Sequence, residues 1–105
     1  MDARLDPLRD LGLERGDAMV LRNAGARLSD DVEAALRFVH HTLGVAEVWI
    51  VGHSDCAAHG GSEAAALGEL RSGRARLAAL LPDISVQLRF YELATGALRA
   101  VEPPG

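Results

Sequence analysis

His53 and Cys56 stand three positions apart at the end of an apolar run. An imidazole nitrogen and a thiolate sulfur are both donors that zinc favours. A loop histidine beside a half-buried thiol meets the same spacing, so the pair alone leaves both readings open. Asp2 and Arg4 form a second pair. A guanidinium can hold a carboxylate ionised, and that carboxylate can accept a hydrogen bond from a metal-bound water. An Asp-x-Arg near a chain end is equally at home on a solvated surface. Cys56 with His53 or His59 as base would also make a thiol nucleophile. His59 is close enough in sequence to Cys56 to offer a substitute metal donor. Asp55 is placed to cap the helix that follows. His40 and His41 belong to a helix end, and Arg71, Arg74 and Arg76 to a solvated helix face.

These residues need elements to position them. Asp6-Pro7 favours a turn, with one or two helical turns in Leu8 to Leu13. Ala18-Met19-Val20-Leu21 is too short for a helix and is expected to be a strand. It ends in Arg22-Asn23-Ala24-Gly25, a loop tolerant of unusual backbone angles. Asp30, with Glu33 three residues on, is expected to open a helix through a capping box. Val32, Leu36, Val39 and Leu43 recur at helical spacing, and Gly44 stops it. Val45 to Val51 closes on an unbroken apolar stretch, as expected of a strand covered on both faces in a parallel sheet. Residues 57–81 read as helical, with breaks near Gly60-Gly61 and Ser72-Gly73. Val86 to Leu93 alternates as a strand, and Thr95-Gly96 turns it into a hairpin with Leu98 to Val101. Trp49 and Phe90 are assigned to the core, and Pro103-Pro104-Gly105 to a loose tail. Strand, helix, strand, helix, strand is an α/β pattern, and ligands in such sheets bind beyond the carboxyl ends of the strands. The loops at Asn23 to Gly25 and at His53 to Cys56 fall at that edge.

Composition narrows the setting. A chain of 105 residues, 49% hydrophobic, suits one domain over 1–105. Its net charge of −4 argues against a nucleic-acid partner, which would want a basic face. No apolar run approaches the roughly 20 residues of a membrane helix, so no membrane partner is expected. A single cysteine excludes an internal disulfide, and the start lacks the apolar core of a signal peptide, which together favour a cytoplasmic setting.

Four stretches in order, MDARLDP, GDAMVLRNAG, SDDVEAALRFVHHTLGV and VWIVGHSDC, resemble the framework of the β-class carbonic anhydrases. That family carries C-x-D-x-R after one strand, R-N-A-G after the next and H-x-x-C after a third. LPDISVQLRFYELATGALRAV resembles its last strand and terminal hairpin, while residues 57–81 are shorter than is usual there. The resemblance implies a mainly parallel central sheet flanked by helices, lacking the family's first, central strand and ending in a hairpin. It implies a Zn2+ site with His53 and Cys56 as ligands, and Asp2 able to close onto the metal. Asp2 and Arg4 become the pair that orients the metal's water, and Arg22, Asn23, Ala24 and Gly25 a loop lining the pocket and the subunit interface. The implied reaction is the reversible hydration of carbon dioxide to bicarbonate, in a homodimer or higher even oligomer. The third ligand would be a cysteine immediately before Met1, so the native chain is expected to extend upstream. The alternatives are a non-catalytic remnant or binding module of the same fold, a carbon disulfide hydrolase-like relative, and the thiol enzyme above.

Overall fold

A computed structural model describes residues 1–101, so the tail Pro103-Pro104-Gly105 lies outside the described residues. The polar lead contains a single helical turn, α1 (Pro7–Asp10), where Asp6 accepts from the backbone N–H groups of Leu8 and Arg9. Proline at the first helical position costs no hydrogen bond, because that N–H has no partner within a helix.

Helix α2 (Asp30–Leu43) starts one residue earlier than its sequence pattern implies. Ser29, not Asp30, is the cap, its hydroxyl accepting from Val32 N. Glu33 is not the return partner of a capping box. It pairs instead with Arg37 and Arg76. Gly44 ends the helix with φ at +73°, which glycine adopts without a Cβ penalty. His40 sits at that end, as expected, its Nδ1–H donating to Val45 O at 2.6 Å.

Strand β1 (Glu47–His53) leads through the 3-10 turn Ala57–His59 into α3 (Glu63–Leu80), capped by Ser62. Strands β2 (Ser85–Glu92) and β3 (Ala97–Ala100) follow, the turn between them closing on Gly96 at φ +74°. The sheet has the order β1-β2-β3, with β1 and β2 parallel and β2 and β3 antiparallel. The fold is therefore α/β, with a βαβ crossover and a terminal hairpin.

Two apolar clusters hold it. Ile50, Ala66, Leu70, Leu88, Phe90 and Val101 pack where α3 covers the sheet. Leu28, Leu36, Leu77, Leu81 and Ile84 join α2 to the end of α3. Phe90, Leu70 and Leu77 are wholly buried. Helix α3 runs unbroken through Ser72-Gly73, contrary to the break expected there. A Cβ on Gly73 would meet Ile50 Cδ1 at 3.4 Å, so this glycine serves close packing against β1.

Two further expectations fail together. Ala18 to Leu21 is not a strand, and Met19, Val20 and Leu21 are all more than 40% exposed. Trp49 is also exposed rather than core, with Arg89 stacked 4.6 Å from its ring centroid. Both changes have one cause: among the described residues β1 is an edge strand, and no strand lies between it and Ala18–Leu21. A short apolar run cannot become a strand without a ladder partner.

Candidate active site

Arg4 organises the site. Its Nε donates to Asp2 Oδ1 at 3.0 Å and its Nη2 to Asp2 Oδ2 at 2.7 Å, a bidentate fork. The Arg4 backbone N–H adds a third bond to Oδ1 at 2.8 Å. These bonds hold the Asp2 carboxyl well below the usual carboxylate range. The other side of the guanidinium is anchored on Asp55, Nη1 donating to Oδ2 at 3.1 Å and Nη2 to the carbonyl at 3.0 Å. Asp55 is therefore not a helix cap, as its position had suggested. Cys56 and Ser62 occupy the two cap positions, and neither bond of Asp55 supports a helix. Nothing local in sequence marks a pairing across 51 positions.

His53 ends β1 with its side chain largely enclosed. Its Nδ1 lies 2.7 Å from Ser54 O. A carbonyl only accepts, so Nδ1 carries a proton, and in the neutral ring Nε2 presents the lone pair. That is the tautomer a metal ligand bound through Nε2 requires. Nε2 faces Asp2 Oδ2 at 3.9 Å. Cys56, three residues on, is buried.

The Arg22–Gly25 loop braces this arrangement. Arg22 Nη2 donates to the carbonyls of Asp2 at 2.7 Å and Leu5 at 3.1 Å. Asn23 closes the loop on itself, accepting from Arg27 N and donating to Arg27 O. Ala24 O accepts from Arg27 Nη1 at 3.1 Å. Gly25 has φ +82°, and its carbonyl accepts from His59 Nε2 at 3.0 Å. His59 thus braces the loop through Nε2. Arg76, expected on a solvated face, instead pairs with Asp30 and Glu33 and donates to Leu28 O.

The donor chemistry fits zinc at two positions, His53 and Cys56. It stops short of a set: among the described residues, no three His, Cys, Asp or Glu side chains gather as a metal-holding group. Asp2 is held in the Arg4 fork, with Oδ2 3.9 Å from His53 Nε2. Asp2, Arg22 to Gly25, His53 and Cys56 all line one cavity of about 1070 Å³.

The family model described as "Carbonic anhydrase" matches residues 1–96. This chain is a carbonic anhydrase family member, of the β class. It is 46% identical over 56 residues to Beta-carbonic anhydrase 1 of Mycobacterium tuberculosis, a match covering 53% of this chain and 34% of that protein. It is 38% identical over 58 residues to the carbon disulfide hydrolase of Acidithiobacillus thiooxidans, covering 53% of this chain and 29% of that one. The match thus spans about a third of these curated relatives. The crystal structure of carbonic anhydrase from Streptococcus mutans superposes with a TM-score of 0.87 at 30% identity, over 97% of this chain and 77% of the other. Among the described residues, no helix is long and apolar enough to cross a membrane.

Proposed function

We propose that this chain carries most of the active site of a zinc-dependent carbonate dehydratase, which interconverts carbon dioxide and bicarbonate. The observation that carries the reading is the line Arg4–Asp2–His53, with the carboxylate forked by the guanidinium and facing Nε2 at 3.9 Å. His53 Nε2 and Cys56 Sγ would hold zinc, with a third donor from beyond the described residues. Zinc supplies a Lewis acid that brings the acidity of a bound water to near neutral pH. The chain's own part is electrostatic. An ionised carboxylate accepts and cannot donate, so Asp2 selects a proton-bearing group at Oδ2, the oxygen that faces His53, and orients it. Arg4 keeps Asp2 charged and fixes its direction, while Asp55 and Arg22 keep Arg4 and Asp2 in place. The Arg22–Gly25 loop lines the substrate pocket.

Two other readings have support. The carbon disulfide hydrolase relative favours a related small linear substrate at the same residues. The missing three-donor group favours a non-catalytic member of the fold. Metal analysis with two substrate assays separates all three. About one zinc per chain with carbon dioxide hydration, lost in Asp2→Asn and His53→Gln, supports the first. Zinc with turnover of carbon disulfide alone supports the second, and a folded chain without zinc the third. A cytoplasmic setting and an even homo-oligomer belong to the first reading. Single Cys56 supports the former, and the exposed Phe38, Leu43 and Trp49 support the latter.

A further inference from the structure

The hydrogen bonds between β1 and β2 run one residue past the end of β1. Gly52 stands opposite Phe90 and His53 opposite Tyr91, so the next step sets Ser54 opposite Glu92. In a parallel ladder a residue donates to the carbonyl just before its partner and accepts from the amide just after. Ser54 keeps the first half of that pattern, its N–H donating to Tyr91 O at 2.9 Å. It departs from the second half. Leu93 N donates, at 2.9 Å, to the Ser54 hydroxyl instead of the Ser54 carbonyl. That carbonyl is turned to His53, whose Nδ1 lies 2.7 Å away. Asp55 follows with φ at +53°, where the backbone leaves the strand direction.

Two donors, Leu93 N–H and His53 Nδ1–H, thus fall to two oxygens of one residue. A ladder carbonyl points across to the neighbouring strand, whereas a strand side chain stands off the sheet. One carbonyl cannot face both ways. We propose that Ser54 is a positioning residue for His53. Its hydroxyl stands in for its own carbonyl in the ladder, and the freed carbonyl holds Nδ1–H, so that Nε2 faces Asp2. The use of that aim rests on the zinc reading, because Nε2 is the atom that would hold the ion. The hydrogen bonds themselves need no metal.

The test is NMR of the imidazole nitrogens in the metal-free full chain, which tells a proton on Nδ1 from one on Nε2 in the neutral ring. His53 signals are identified by their loss in His53→Gln. The parent is expected to carry the proton on Nδ1. In Ser54→Ala the Leu93 N–H should draw the carbonyl back into the ladder. The ratio of Nδ1–H to Nε2–H should then fall by about three- to tenfold, the worth of one hydrogen bond. Amide exchange at Leu93 should meanwhile stay slow. Ser54→Cys keeps the shape and weakens the acceptor, so it gives the same comparison if the alanine variant does not fold. Ser54→Thr keeps the oxygen and should keep the parent ratio. A serine that only tied the strand ends together would speed exchange at Leu93 and leave the ring unmoved. That result would overturn the proposal, as would a parent ring protonated on Nε2, or a threonine variant as disturbed as alanine. Zinc added afterwards tests the catalytic reading separately. A parent that binds no zinc but shows the expected ring response would sink that reading and leave the role of Ser54 standing.

Discussion

Ala18-Met19-Val20-Leu21 and Val48-Trp49-Ile50-Val51 are two apolar runs of equal length with opposite fates. The second is a strand with Ile50 nearly buried, because β2 pairs with one edge and α3 lies across one face. The first has neither partner and leaves Met19 at 59% and Leu21 at 53% exposure. The contrast extends to whole regions. Before Leu28 no residue is buried, and the chain there is held by Arg4, Arg22, Asn23 and their polar partners. From Ile50 onward the chain is held by apolar packing. The site is built across the two, with Asp2 and Arg4 on the polar side and His53 and Cys56 on the packed side.

The sharpest way to break this comparison is to open the packed side. Leu70 is wholly buried and lies against Gly52, where an added Cβ would come within 3.3 Å of its Cδ1. Leu70→Ala is expected to cost about 2–5 kcal/mol, the range for a buried leucine whose cavity does not fully collapse. Urea denaturation read by the fluorescence of Trp49 checks it. A loss under about 1 kcal/mol would mean that α3 does not carry the fold in the manner described.

On the polar side the largest single effect should come from Gly25. Its φ of +82° is strained for any other L-residue, and a Cβ would sit 2.8 Å from His59 Nε2. Gly25→Ala is expected to destabilise by about 1–3 kcal/mol and to displace His59 from the Gly25 carbonyl. Gly44→Ala is the control, with a similar φ of +73° but open space around it. The difference between the two in urea midpoint isolates the loop contact from the backbone strain. Equal losses would show that the loop is not braced by His59.

How far these features could be read from the residues follows the same division. Helix α2, the terminal hairpin and the parallel strand ahead of His53 were legible, because local periodicity and turn residues decide them. The order of Asp2, Arg4, the Arg22–Gly25 loop, His53 and Cys56 was legible as a family pattern. Ala18–Leu21 and Trp49 were misread because their burial depends on a neighbouring strand, which no local pattern reports. Gly73 was misread as a break because a glycine for close packing looks the same in sequence as a glycine for a turn. Asp55 was read as a helix cap, and His59 only as a residue close to Cys56. Their actual partners, Arg4 and Gly25, lie 51 and 34 positions away.

One contact stitches the polar lead to the packed sheet, and pH should reveal its limits. Tyr91 Oη donates to Asp10 Oδ1 at 3.2 Å. Bonds from Arg9 first, then Asp6 N and Tyr91, lower the Asp10 pKa from 3.8. Its stabilisation is therefore complete above pH 3.8 and lost as pH falls through the lowered value. Burial first, then the bond to Asp10, raises the Tyr91 pKa from 10.0, so its share is complete below pH 10.0 and lost above. Tyr91 is the only tyrosine, so tyrosinate absorbance reads it alone. The midpoint should lie above 10.0, and Asp10→Asn should lower it part of the way back, because burial remains. A midpoint unmoved by Asp10→Asn would remove this contact from the account.

The smallest effect is expected where the two runs differ most. Val20 is 44% exposed, in a segment with no ladder partner among the described residues. Val20→Thr keeps the branched shape and adds a hydroxyl that water can already reach. In this chain it should change stability by less than about 0.5 kcal/mol, as for surface positions away from special features. Ile50→Thr makes the same kind of change in the run that has its partners, at a side chain only 9% exposed. There the hydroxyl is buried among Leu70, Leu88 and Phe90, and an unsatisfied group of that kind costs about 1–3 kcal/mol. Denaturation of both variants beside the parent measures the gap directly. If Val20→Thr cost as much as Ile50→Thr, the first run would have to be packed against something, and the division between a polar and an apolar half would fall.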